Sequence, residues 1–188
     1  MISKKNITVQ ILFSLVTTLF VHTSKGQEAG KGSPLKNMEF LIADWKVSNF
    51  EIKEGQWSLV GDTHSSIKAI LKGSFLSEKV KYLVGASELN MVIHIGHDDR
   101  IGLLKLSAMD QEYGFMDIYT GKFLEEKIVF TNLGSDQPIA FDEGKKLSFR
   151  LTYSNIREES FEHLVEGTYD EGLTWFPFAK SIYRKQLK

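Results

Sequence analysis

From Trp45 onward the chain is a succession of short segments in which apolar and polar residues alternate, interrupted every ten residues or so by clusters of glycine and acidic residues. In "KKLSFRLTY", residues 145 to 153, Leu147, Phe149, Leu151 and Tyr153 share one face while Lys146, Ser148, Arg150 and Thr152 share the other. In "FEHLVEGTY", residues 161 to 169, the same period places Phe161, His163, Val165 and Tyr169 opposite Glu162, Glu166 and Thr168. Period-two alternation with one wet face is the pattern of half-buried antiparallel strands. The pattern predicts strands near 45–53, 57–70, 74–83, 89–97, 101–109, 113–120, 123–132, 146–153, 159–169 and 174–184. Separators such as "KEGQ", "HDDR", "YTGK" and "YDEG" carry the residue types that tight turns use.

So many strands in one chain leave two solutions, two packed sheets or closure on themselves, because long apolar edges invite association. The expected fold is all-β: an antiparallel up-and-down barrel of 8 to 10 strands, whose interior can hold one small ligand. A short helix precedes it. Ser33 suits a helix cap and Pro34 the first helical position, and Leu35, Met38, Leu41 and Ile42 recur on one face.

The first residues have a different character. Lys4 and Lys5 precede the apolar run "ITVQILFSLVTTLFV" and "SKG" follows at 24–26, the layout of a cleaved secretory signal peptide. The run is shorter than the roughly 20 residues that span hydrocarbon comfortably. The expected organisation is a signal peptide over 1–26, a polar tether over 27–34 and a barrel domain over 35–186, with no stable membrane span after cleavage and a periplasmic or extracellular location. Loss of Lys4, Lys5 and Lys25 leaves 20 basic against 24 acidic residues, a formal charge of −4. With that balance and no basic cluster, nucleic acid is not an expected partner. The chain has no cysteine, which excludes a disulfide, a thiolate metal site and a cysteine nucleophile.

The elements "ADWKV" at 43–47, "SSIKAILKGSFLSEKV" at 65–80, "MDIYTG" at 116–121, "LTYSNIREESFEHLVEGTYDEGLTW" at 151–175 and the terminal "YRK" resemble, in their order, those of DUF1579, a bacterial family of calycin-like or lipocalin-like barrels. The resemblance spans about residues 35 to 186 and implies the barrel, its opening helix and a long closing two-stranded ribbon. It implies no shared activity. Nitrobindin, a haem-binding barrel, is similar in shape only: "WKVSNFEI" stands where its glycine-rich opening would be, so no haem ligand role passes to His163 and no cofactor is expected.

The candidate ligand-binding residues are His163, Tyr153, Phe149, Phe161, Tyr119 and Asp117. The aromatic residues can line an apolar pocket. His163 stands between Phe161 and Val165 on the apolar face, where an imidazole either binds a polar group or is hydrogen-bonded to a neighbouring tyrosine or carboxylate. Asp117 shares a face with Phe115 and Tyr119 and needs a partner if buried. Arg150 is excluded as that partner by its outward position.

"IHIGHDDR", residues 93 to 100, sets His94 and His97 at opposite parity, unsuited to one metal ion, and is expected as a polar turn. The motifs GxSxG, HExxH, GxGxxG and GxxxxGK[ST] are absent. The leading functional expectation is a non-catalytic binding protein for a small apolar or amphipathic molecule, with a homodimer as a possible assembly. The alternatives are an isomerase or hydrolase pairing His163 or His97 with Asp98, Asp99 or Asp117, and a structural or interaction domain of the envelope.

Overall fold

The computed structural model describes residues 34–135, 139–141 and 145–186. The expected signal peptide and all of the tether but Pro34 lie outside them. A 3₁₀ helix, Pro34–Leu41, is followed by strands β1 Ala43–Lys53, β2 Gln56–Ile70, β3 Phe75–Val84, β4 Ser87–Asp98, β5 Leu103–Asp110, β6 Met116–Leu124, β7 Lys127–Thr131, β8 Ile139–Phe141, β9 Lys145–Arg157, β10 Ser160–Thr168 and β11 Phe176–Lys185. All pairings are antiparallel. They run in chain order from β1 to β7, pass to β9, β10 and β11, and close where β11 returns to β1. The result is the expected closed antiparallel barrel, of ten strands preceded by a short helix.

The pattern did not anticipate β8, which lies outside the ring and pairs with the start of β9 through Ile139 and Leu147. At three residues it is too short to show a period.

Alternation along each strand decides what fills the barrel. Leu147, Phe149, Leu151 and Tyr153 of β9 are all buried, as are Phe161 and His163 of β10. The expected face fails at the far end of β10. Thr168 is buried, its hydroxyl donating to Asp170 at 2.7 Å, and Tyr169 lies past the end of β10, in the connection to β11, where it stands nearly half exposed. Phe115 likewise falls before β6 and is exposed, not beside Tyr119.

The helix supplies Leu35, Met38 and Leu41 to the core. It is tied to β1 by Trp45, whose indole Nε1–H donates to the Leu41 carbonyl at 2.8 Å. The Trp45 ring meets Phe161 edge-on at 5.0 Å and Tyr183 at 6.3 Å, so the helix end, β10 and β11 share one side chain.

On β6, Gly121 pairs with Phe130 of β7, and the phenyl ring lies across the glycine. A Cβ at Gly121 would sit 2.3 Å from the Phe130 ring, itself fully buried. Gly121→Ala must therefore displace a core ring, and we expect a loss of roughly 1–3 kcal/mol. Urea denaturation checks this, and an unchanged midpoint would show that Phe130 has room to retreat.

Candidate functional site

The interior carries two polar groups of different character. In the first, Ser181 donates to Asn49 Oδ1 at 3.2 Å, Asn49 Nδ2 donates to Thr63 Oγ1 at 2.9 Å, and Thr63 donates to the Lys81 carbonyl at 2.7 Å. All three side chains are buried and all are paired. This is a structural staple across β11, β1, β2 and β3.

The second group is built on Glu78 of β3, which is 3% exposed. It faces inward because "LSEKVKY", residues 76 to 82, alternates: Leu76, Glu78 and Val80 are buried while Lys79 is exposed. Glu78 Oε1 accepts from Ser65 Oγ at 2.6 Å and from the Tyr183 hydroxyl at 3.0 Å. Tyr183 meets the Tyr82 hydroxyl at 2.5 Å, and Tyr82 meets His163 Nδ1 at 3.4 Å. Enclosure away from water holds the Glu78 carboxyl above its usual range, against the opposing pull of the Ser65 and Tyr183 hydrogen bonds. Burial, reinforced by the Glu78 charge, raises the Tyr82, Tyr153 and Tyr183 hydroxyls well above their usual range, so they remain protonated.

His163 is 4% exposed, and burial alone pushes its pKa down to about 4. Its ring stacks on Tyr153 at 4.7 Å, and Tyr153 in turn lies 5.9 Å from Phe161. Phe161 stacks on Tyr183 at 4.3 Å, which completes a contiguous aromatic cluster. Two atoms of this cluster, His163 Nε2 and the Tyr153 hydroxyl, are enclosed and have no hydrogen-bond partner among the described residues. Such atoms are rare in folded proteins because each carries the cost of lost hydration. A third enclosed atom, Asn132 Nδ2, stands just beyond the end of β7, on a side chain whose Oδ1 accepts from the Phe149 amide at 2.6 Å.

Among the six candidate residues the barrel thus brings together His163, Tyr153 and Phe161. Phe149 is buried but packs edge-on against Phe178 at 5.4 Å. Tyr119 and Asp117 form a separate pair, with the Tyr119 hydroxyl donating to Asp117 Oδ2 at 3.3 Å. Asp117 is half-buried, and desolvation raises its pKa in spite of that bond. Arg150 points away, as expected, and its guanidinium forms a two-bond pair with Glu166 at 2.8 Å. Glu78, Tyr82, Tyr183 and Ser65 are the members that inspection of the sequence passed over. The signal for Glu78 was present in its strand parity.

The histidine-carboxylate pairs of the enzyme alternative are not assembled at this site. His163 meets no carboxylate among the described residues, since two tyrosines separate it from Glu78. His97 does pair with Asp99 at 2.7 Å, but Asp99 is exposed on the β4–β5 turn, and Asp98 is held there by Arg100. Among the described residues no cluster of three metal-ligating side chains occurs, and no helix is long and apolar enough to cross a membrane.

A depression of about 580 Å³ crosses β2 to β5, bordered by His64, Lys79, Lys81, Val92 and Met109. Lys79, Lys81, Val92 and Met109 are of outward parity, so it lies on the other side of the wall from the aromatic cluster.

No family model matches the sequence, and no curated protein does. Among solved structures, the chain is similar to a protein of unknown function from the DUF3598 family of Nostoc punctiforme, with 9% identity, 78% of this chain and 97% of that chain covered, and a TM-score of 0.24. A likeness at that level carries neither fold nor function, and the barrel stands on its own strand pairings.

Proposed function

We propose that this protein is an exported, non-catalytic binding module that holds a small, mostly apolar molecule against the His163–Tyr153–Phe161 wall of a calycin-like barrel. The observation that supports it is the pair of enclosed, unpartnered polar atoms on one aromatic stack, His163 Nε2 and the Tyr153 hydroxyl. The neighbouring Asn49 group, by contrast, has its polar atoms paired. Affinity would come chiefly from removing ligand surface from water, with the polar pair fixing orientation. Tyr82, half-buried and two residues from the end of β3, is the most exposed member of the group. The signal-peptide layout supports export, and the order of elements shared with DUF1579 supports the calycin-like assignment.

The protein, produced from residue 27, would be incubated with its native cell extract and weighed by native mass spectrometry. A stoichiometric small-molecule adduct that disappears in His163→Ala is the expected result. A protein that stays empty, with a mass unaltered by the extract, would sink the proposal and favour a structural or interaction role.

A further inference from the structure

The direction of the hydrogen bonds within the aromatic cluster narrows the ligand. Tyr183 has one hydroxyl hydrogen, and it goes to Glu78 Oε1. At the Tyr82–Tyr183 contact Tyr183 must then accept, so the single Tyr82 hydrogen is directed at Tyr183. Tyr82 therefore has only a lone pair to offer His163, and the imidazole hydrogen sits on Nδ1. With any Glu78 proton on Oε2 this order stays intact, because Oε1 then still accepts both hydroxyls. The enclosed Nε2 is thus a bare acceptor, and the low pKa of the ring keeps it so at neutral pH. The charges around it are equally one-sided. Among the described residues no lysine or arginine is buried, whereas Glu78 is. An anionic ligand would find no countercharge, and one that only accepts hydrogen bonds would leave Nε2 unpaired.

Resting on the binding reading above, we infer that the ligand is a neutral apolar molecule bearing a hydroxyl, which donates to His163 Nε2 and accepts from the Tyr153 hydroxyl. A carboxylate, or an ether of the same size, does not satisfy the site.

The test is a calorimetric titration of the protein from residue 27 with three probes of matched size: 1-hexanol, hexanoate and methyl pentyl ether. Hexanol is expected to bind roughly tenfold or more tightly than the ether, which cannot donate, and hexanoate more weakly still. In His163→Phe the preference for hexanol over the ether should vanish, whereas Tyr153→Phe should weaken both. Should the histidine variant fail to fold, nitrogen NMR of the unaltered protein decides the matter. The His163 Nε2 resonance is expected to be unprotonated in the free protein and to shift on adding hexanol. Ether or hexanoate binding as tightly as hexanol, a protonated Nε2, or an Nε2 resonance that hexanol does not move overturns this inference alone. If none of the three probes binds, the binding reading itself falls with it.

Discussion

Replacing Trp45 with alanine should remove about 3–5 kcal/mol of stability, close to the most that a single core truncation costs. The indole is completely buried and touches Phe161 and Tyr183, and its Nε1–H holds the last carbonyl of the helix. Three losses coincide: transfer of the large side chain, the cavity it leaves, and an orphaned Leu41 carbonyl. The surrounding rings come from separate strands and cannot all shift inward together. Urea denaturation should show a much lower midpoint, with Trp45→Phe losing less because it keeps most of the ring. A Trp45→Ala midpoint within the scatter of surface substitutions would mean that the helix does not depend on this contact.

The second large effect is a loss of stability on mild acidification traceable to His163. Its pKa is about 4 in the folded protein, against 6.5 for an unperturbed imidazole. Because the folded value is depressed, the unfolded chain takes up the proton first as pH falls. The penalty begins near pH 6.5, grows until about pH 4, and is then constant, reaching about 3 kcal/mol. His163→Phe should abolish this component, so the variant's stability should decline less than that of the unaltered protein over that interval. Glu78 acts in the opposite sense. Its raised carboxyl pKa means that its contribution is complete below the unfolded value of 4.5 and is lost as pH rises through the folded value. Measurement in a Glu78→Gln background removes that overlap. If His163→Phe and the unaltered protein lost stability in parallel between pH 6.5 and 4, the imidazole would have to be hydrated, and the argument for an enclosed acceptor would end there.

Much of the barrel was visible in the sequence because burial on one side imprints a period of two. Leu147, Phe149, Leu151 and Tyr153 occupy the inner face as the alternation required. What escaped depends on events that leave no period. The end of β10 at Thr168 takes Tyr169 out of the alternation, and β8 is too short to alternate. The site was partly legible. His163 stands out as a polar residue among apolar neighbours, and Asp117 has the partner that burial requires, Tyr119, though away from His163. Glu78 obeys the same parity rule, but "SEKVK" looks like a solvated, charged strand unless its even positions are compared with Leu76 and Val80. The connection from Glu78 through Tyr183 and Tyr82 to His163 could not be read at all, since it joins side chains up to 105 positions apart.

The way the ring closes governs how it must form. Every contact in the ring joins strands adjacent in the chain, with β9 following β7 across the short β8, except that between β1 and β11. Nine hairpin-like steps are local and can zip up in any order, each closing a modest loop. The tenth must bring Trp45 beside Lys185, and it sets the entropic barrier for the whole barrel. During synthesis β1 therefore waits as an unpaired edge until the last strand has been made, and for that interval the nascent sheet is open to pairing with another chain.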